Sequence, residues 1–501
     1  MGERVEASNL NRRSISWLEV VAICSLFALY AGSPPPDVNE AHYLSKAKHF
    51  WNADWCSGDL FLNSSNAHLA FCWTFGWLTH WVSLPTAAWL GRIAFWVALA
   101  VGWRRLSYSM VPRTGVAVFT AAIWLLGLHY CHMMGEWVVG TLEGKSIAYV
   151  FVLFGLSALV RNRWNTTWMC FGAAAMFHVL VGGWCVVAAA LTWIFQPHDR
   201  ASLKSMIPGL FAGFALSLPG LFPALQLSHG VPEEVVRQAE VIYVFRRLPH
   251  HLVIHSRNWL FIARFVLLVI CWAALLGPTK YLPAMKRLNF FITGALLIAL
   301  MGLAVEITTL GQPEQAAHWL RFYWFRLTDA VVPAGVALAW AVWLANISSG
   351  KTAKRLSYIV VGAATCGLIA SWPTYWSTQL PRASLHQWGN GGHHHWAAVD
   401  RHAEWIRLCR WVHSNTPEDA HFLTPHNQQT FKWYAERAEA ATWKDIPQDA
   451  KSTVAWWNRI IDIYGSQVSS TMDTGPGLKW MSLTDMSAQR LISLAHKYQC
   501  Q

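Results

Sequence analysis

Apolar runs of about 20 residues recur through the first three quarters of the chain, and few folds can accommodate them. They fall near 15–32, 86–103, 114–132, 146–160, 167–195, 206–227, 259–278, 289–310, 329–345 and 357–375. At about 1.5 Å rise per residue, a helix of that length matches the hydrocarbon thickness of a bilayer. The expectation is a mainly α protein: a polytopic transmembrane helical bundle of about 10–11 spans over residues 1–376, followed by a small soluble α/β domain over 377–501. Charged residues make up 13% of the chain, against about 25% in an average soluble protein. Many of the 32 Trp stand at the ends of the apolar runs, where an amphipathic ring suits the headgroup layer.

The net charge of +12 follows the requirements of a membrane topology, and no nucleic-acid partner is expected. Arg4, Arg12 and Arg13 precede the first run. Arg104, Arg105 and Arg113 join the second to the third, and Arg161 and Arg163 follow the fourth. Lys280, Lys286 and Arg287 precede the run at 289, and Lys351, Lys354 and Arg355 precede the last. The positive-inside rule makes all of these cytoplasmic if residues 167–195 turn back as two short helices, with Gly182-Gly183 as the break. One long tilted helix is the alternative. The two-helix choice places four segments on the outer face: 33–85, 228–257, 311–328 and the tail. Within the first, 66–83 carries Trp73, Trp77 and Trp81 at four-residue spacing and reads as an interfacial segment. Pro34-Pro35-Pro36 after the first run suits an uncleaved first span. Most of the ten Cys lie in or beside apolar runs, which leaves Cys56, Cys409 and Cys500 for at most one disulfide.

The tail opens with a Gly- and His-rich linker from Gly389 to His395. Helices are expected near 398–414, 452–463 and 485–497, with strands near His421–Thr424 and Ala438–Thr442. His393-His394-His395 could bind a metal only with partners from elsewhere, so no metal site is assigned.

Three clusters carry candidate chemistry. The first outer loop holds Asp37, Glu40, His42, Asp54 and Asp59. Asp37 and Glu40 have the spacing of a capping box; the same carboxylates could serve as general base or hold a divalent cation. The second cluster is Glu136, Glu143 and Lys145, where a costly ionisable group near membrane depth points to an interior cavity or to snorkelling. His178 lies beside the expected break. The third cluster is cationic: Arg237, Arg246, Arg247, His250 and His251, then His318, Arg321, Arg326 and Asp329. These arginines either pair with Glu233, Glu234, Glu240 or Asp329, or bind a lipid-linked phosphate.

The order of these parts resembles the GT-C superfamily of membrane glycosyltransferases. The chain is more closely similar to a group of bacterial membrane proteins with a C-terminal domain of unknown function. The matching stretches are Asn39-Glu40-Ala41-His42-Tyr43-Leu44, Gly58-Asp59-Leu60-Phe61-Leu62, Phe177-His178-Val179-Leu180-Val181-Gly182-Gly183, Arg247-Leu248-Pro249-His250-His251-Leu252, Arg326-Leu327-Thr328-Asp329, Thr416-Pro417-Glu418-Asp419-Ala420 and Trp443-Lys444-Asp445. The resemblance implies transfer of a sugar from a polyprenyl-phosphate donor to an acceptor on the outer face of a bacterial cytoplasmic membrane, with membrane lipid and the lipid-linked donor as partners. It makes Glu40 and Asp37, then Asp59, the candidate catalytic acids. His42, Glu143, Lys145, Arg246, Arg247, His250, Arg321 and Arg326 become candidate substrate contacts. Asn39-Glu40 departs from the paired acidic residues common in that superfamily. A transporter or flippase, and a non-catalytic assembly protein, are the other classes that fit.

Overall fold

The computed structural model describes residues 2–196, 200–346, 380–384, 395–465 and 480–500, with isolated positions between 355 and 363. The expected span at 357–375, the boundary at 376–377 and most of the Gly- and His-rich linker lie outside the described residues.

The apolar runs form helices: α1 (Gly2–Ala31), α5 (Leu84–Met110), α6 (Val116–Tyr130), α7 (Gly144–Val160), α8 (Trp164–Phe177), α9 (Val179–Ile194), α10 (Leu203–Gln226), α13 (Trp259–Thr279), α14 (Pro283–Thr308) and α16 (Arg326–Asn346). Five of them, α5, α10, α13, α14 and α16, are long and apolar enough to cross a membrane, which fits an integral membrane protein. Local sequence sets their ends. Ser83 caps α5 by accepting from the Thr86 amide, and a proline stands in the first turn, where no amide partner is needed. α16 lies at the centre of the bundle and is buried along almost its whole length.

The long run at 167–195 is two helices, α8 and α9, and the break falls at His178 instead of at Gly182-Gly183. His178 is extended (φ −152°, ψ 100°) and reverses the chain. Gly182 has another job: a Cβ there would lie 2.2 Å from the Ala175 amide nitrogen, so the returning helix can pack this closely only on glycine. The same logic joins α8 to α10, where Gly172 meets the backbone of Gly213.

Loops gather at two ends. At one, Arg161 bonds Ser109 and the Arg105 carbonyl, Arg287 bonds the Val160 carbonyl, and Arg104 pairs with Glu19 at 2.8 Å. This end collects the arginine-rich connections. The other end collects the long loop after α1, the segment 131–143, the turn at His178, the segment 227–258 and the C-terminal domain. The long loop contains α2 (Glu40–Trp51), α3 (Leu60–Asn63) and α4 (Leu69–Trp73). Trp73, Trp77 and Trp81 are all exposed, and the short elements around them do not span. Further short helices at this end are α11 (Glu233–Val241), α12 (Pro249–Leu252) and α15 (Pro313–Leu320).

The C-terminal domain contains α17 (His395–Asn415), β1 (His421–Phe422), α18 (Phe431–Ala435), β2 (Ala438–Glu439), α19 (Ala450–Tyr464) and α20 (Ala488–Tyr498). Its sheet is small: β1 and β2 pair in parallel over two residues each, His421 with Ala438 and Phe422 with Glu439. A cluster around Trp456, Ile460, Ile463 and Tyr464 forms its core. Cysteines among the described residues are free thiols, Cys56 and Cys409 both buried.

Candidate functional site

The first turn of α2 organises the end of the bundle that faces the C-terminal domain. Half of the expected capping box forms: Glu40 Oε2 accepts from the Asp37 amide at 2.9 Å, while Asp37 Oδ1 turns to the Val38 amide. Glu40 is fully buried. Its two oxygens meet Arg92 Nε and Nη2, each at 2.5 Å, and Oε1 also accepts from the Leu142 amide at 3.1 Å. A bidentate arginine fork and two amides occupy the carboxylate. Asp37 lies 3.6 Å from Arg382. Asp59 caps α3 through the Leu62 amide and reaches across to the C-terminal domain, accepting from the Glu439 amide at 3.1 Å. All three candidate acids therefore bind cations or backbone amides that hold the loop in place.

The opposite face of the same helical turn meets the C-terminal domain. Asn39 and His42 stand three apart, so they are neighbours on one face, and they contact consecutive residues of the domain. Lys444 Nζ donates to Asn39 Oδ1 at 2.7 Å, and His42 Nδ1 lies 3.0 Å from Asp445 Oδ1. Beneath them Lys432 binds three carboxylates: Asp59 at 3.1 Å, Glu439 at 2.7 Å and Asp445 at 2.8 Å. Burial would raise the pKa of Asp445, but the Lys432 ammonium and His42 hold it well below the usual carboxylate range. Burial lifts Glu439 to about 7.

Asn39 also links this surface to the membrane helices, its Nδ2 donating to Glu143 Oε2 at 2.9 Å. Glu143 precedes α7 and lies 3.5 Å from Lys145, which is 3.7 Å from Glu136. Glu136 meets Arg326 Nε at 2.8 Å, and Arg326 Nη1 donates to His178 Nε2 at 3.0 Å. The turn between α8 and α9 thus presents His178 to the start of α16. Glu136 and Glu143 each keep one oxygen with no hydrogen bond. Asp329 takes another role, accepting from the Met133 and Met134 amides at 2.7 and 2.8 Å and so fixing the segment that carries Glu136.

Arg247 approaches from the segment before α12, donating to the Trp443 carbonyl at 2.8 Å with its guanidinium over the Trp443 ring. Four cations, Lys145, Arg247, Arg326 and Lys444, and two carboxylates, Glu136 and Glu143, belong to this connected region. Asp445 is engaged by Lys432 and His42. Burial, with Arg247 nearby, pushes the Lys444 ammonium down to about 8, against the opposing effect of Glu143 and Asp445.

The remaining candidates are elsewhere. Arg321 pairs with Glu240 in a separate open cleft of about 1240 Å³ that also holds Arg237, Glu233, Glu314 and His318. Arg237 meets Glu233 there at 2.7 Å. Arg321 and Arg326 are therefore not parts of one cation cluster. Arg246 is half-buried and His250 is exposed, its ring tilted against that of His251 with centroids 4.1 Å apart. Among the described residues no group of three or more His, Cys, Asp or Glu has a metal-binding arrangement. His393 and His394 lie outside the described residues.

The sequence reading did not single out Arg92, Lys432, Glu439 or the pairing of Asn39 with Lys444. An arginine inside an apolar run was the available signal for Arg92, because such a charge needs a partner.

Residues 403–463 match a family described as a domain of unknown function, DUF6798. Lys432, Glu439, Lys444 and Asp445 all fall within that match, so the stretch shared with the family is the one that closes the site. No curated protein matches the chain.

Proposed function

We propose that the protein is a membrane glycosyltransferase that moves a sugar from a polyprenyl-phosphate donor to an acceptor hydroxyl. In this reading the arginine-rich end faces the cytoplasm of a bacterial cell and the C-terminal domain lies in the periplasm, following the positive-inside rule. The observation that carries the proposal is the cation excess where α2, α7 and α16 meet the domain. Burial beside Arg247 holds Lys444 at about 8, and Lys145, Arg247, Arg326 and Lys444 outnumber Glu136 and Glu143, leaving negative charge wanting. A phosphate would supply that charge. Buried cations would also stabilise it as the leaving group, since electrostatic stabilisation is strongest where water is scarce.

The test is purified chain in lipid nanodiscs, offered a panel of polyprenyl-phosphate sugars. Saturable binding followed by loss of sugar from the lipid supports the reading. Binding with movement of the donor between leaflets and no loss of sugar would favour the flippase reading, for which the reversal at His178 between α8 and α9 is the supporting feature.

A further inference from the structure

A transfer of this kind needs a group that takes the acceptor's proton; Glu40 and Asp59 are taken up by cations and backbone amides, and the Oδ2 of Asp37, which makes no hydrogen bond, faces Arg382 at 3.6 Å. His42 is differently placed. Its Nδ1 is bound to Asp445, its ring packs on Phe61 with centroids 4.2 Å apart, and Tyr43 lies edge-on. Its Nε2 makes no hydrogen bond among the described residues, and the side chain borders a narrow recess with Tyr43, Asn66, His68 and Gln448. Lys432 holds Asp445 at 2.8 Å on its other oxygen, so the carboxylate is fixed and ionised. A histidine oriented by a carboxylate on one nitrogen and open on the other has the geometry of a general base. Asn39, one turn away on the same face, holds Lys444, so the base stands beside the cations assigned to the phosphate.

We propose that His42 accepts the proton of the incoming hydroxyl, that Asp445 positions it, and that the hydroxyl enters through this recess. The inference rests on the glycosyltransferase reading. In the step, the acceptor oxygen bonds to the anomeric carbon of the donor sugar. The bond from that carbon to the phosphate oxygen breaks, and the phosphate leaves with the electron pair. The proton passes to His42 Nε2, and the resulting imidazolium is stabilised by Asp445.

The groups facing His42 set its titration. Burial lowers its proton affinity, Asp445 opposes this, and Lys444 and Lys46 add to the lowering; His68 borders the same recess. A neutral ring is the working form, so the rate should fall as the medium is acidified through a midpoint below 6.5.

The experiment follows cleavage of a bound polyprenyl-phosphate sugar by the full chain in nanodiscs, with donor binding measured separately. The unsubstituted chain should show the acidic limb below pH 6.5. His42→Gln should bind donor within about twofold of the unsubstituted chain, lose cleavage by about 100-fold or more, and lose that limb. Exogenous imidazole should restore cleavage to His42→Ala, a rescue that a purely structural role would not give. Full cleavage by His42→Gln, or an unsubstituted profile without the limb, overturns the proposal. If the unsubstituted chain binds no donor, the glycosyltransferase reading fails first and this inference falls with it; donor binding with unaffected His42 variants overturns this inference alone.

Discussion

Arg92 and Glu40 form a two-pronged ion pair inside the protein, Nε to Oε1 and Nη2 to Oε2 both at 2.5 Å, with both side chains fully buried. The pair ties the first turn of α2 to the start of α5. Removing one partner leaves a charge stranded in a dry environment, which costs about 3–5 kcal/mol. Glu40→Gln and Arg92→Met are each expected to lower the thermal unfolding temperature in detergent clearly. The double variant Glu40→Leu with Arg92→Met should recover much of the loss. Unchanged stability in Glu40→Gln would show that the carboxylate has some role other than holding Arg92.

Under the proposed function, Lys444 is expected to make donor binding dependent on pH. Its ammonium sits at about 8 in the free protein, and a bound phosphate would favour the charged form and raise that value. By linkage, affinity is full below about 8 and declines as the pH rises through it. Donor titrations between pH 6.5 and 9.5 check this. Lys444→Arg, which stays charged throughout, should move the decline upward; a flat profile in the unsubstituted chain would contradict the role of Lys444.

How legible these features were depends on the range of the interaction. The membrane helices follow from runs of apolar residues and from where the arginines fall, and the reversal within 167–195 followed from the same charge pattern. The position of the break did not. Gly182-Gly183 looked like the weak point, yet Gly182 is there for close packing on Ala175, and His178 makes the turn. Long-range pairs left no local trace. His42 meets Asp445 and Asn39 meets Lys444 across some 400 positions, and only the fold brings them together. Asp37 and Glu40 were legible locally in part: their spacing suggested a capping box, and half of it forms, while the Arg92 partner of Glu40 left no local trace.

The packing of α8 on α10 gives a separate prediction. Gly172 and Gly213 touch through their backbones, so any side chain there must push the helices apart. Gly172→Val should destabilise the bundle by about 1–3 kcal/mol or more, visible as earlier unfolding and loss of monodisperse protein in detergent. Gly183, which has open space around its missing Cβ, is the control, and Gly183→Ala should be tolerated. Equal behaviour of the two variants would argue against this packing.

Orientation is accessible to labelling. Glu418 is exposed on the C-terminal domain and Arg113 is exposed at the arginine-rich end. With the two substituted singly, Glu418→Cys should react with an impermeant maleimide in intact cells. Arg113→Cys should react only after permeabilisation. The reverse pattern would invert the proposed topology.

If the cations at the contact between the bundle and the C-terminal domain hold a lipid-linked phosphate, equilibrium binding of a polyprenyl-phosphate sugar to the chain in nanodiscs will depend on them. Saturable binding to the unsubstituted chain is expected, weakened about 10-fold or more by Lys444→Ala and by Arg326→Gln, as for loss of a hydrogen bond to a charged group. Arg321→Ala, in the separate cleft, should leave it unchanged. Binding that ignores Lys444 and Arg326, or no binding by folded protein, would rule out a phosphate site at these cations.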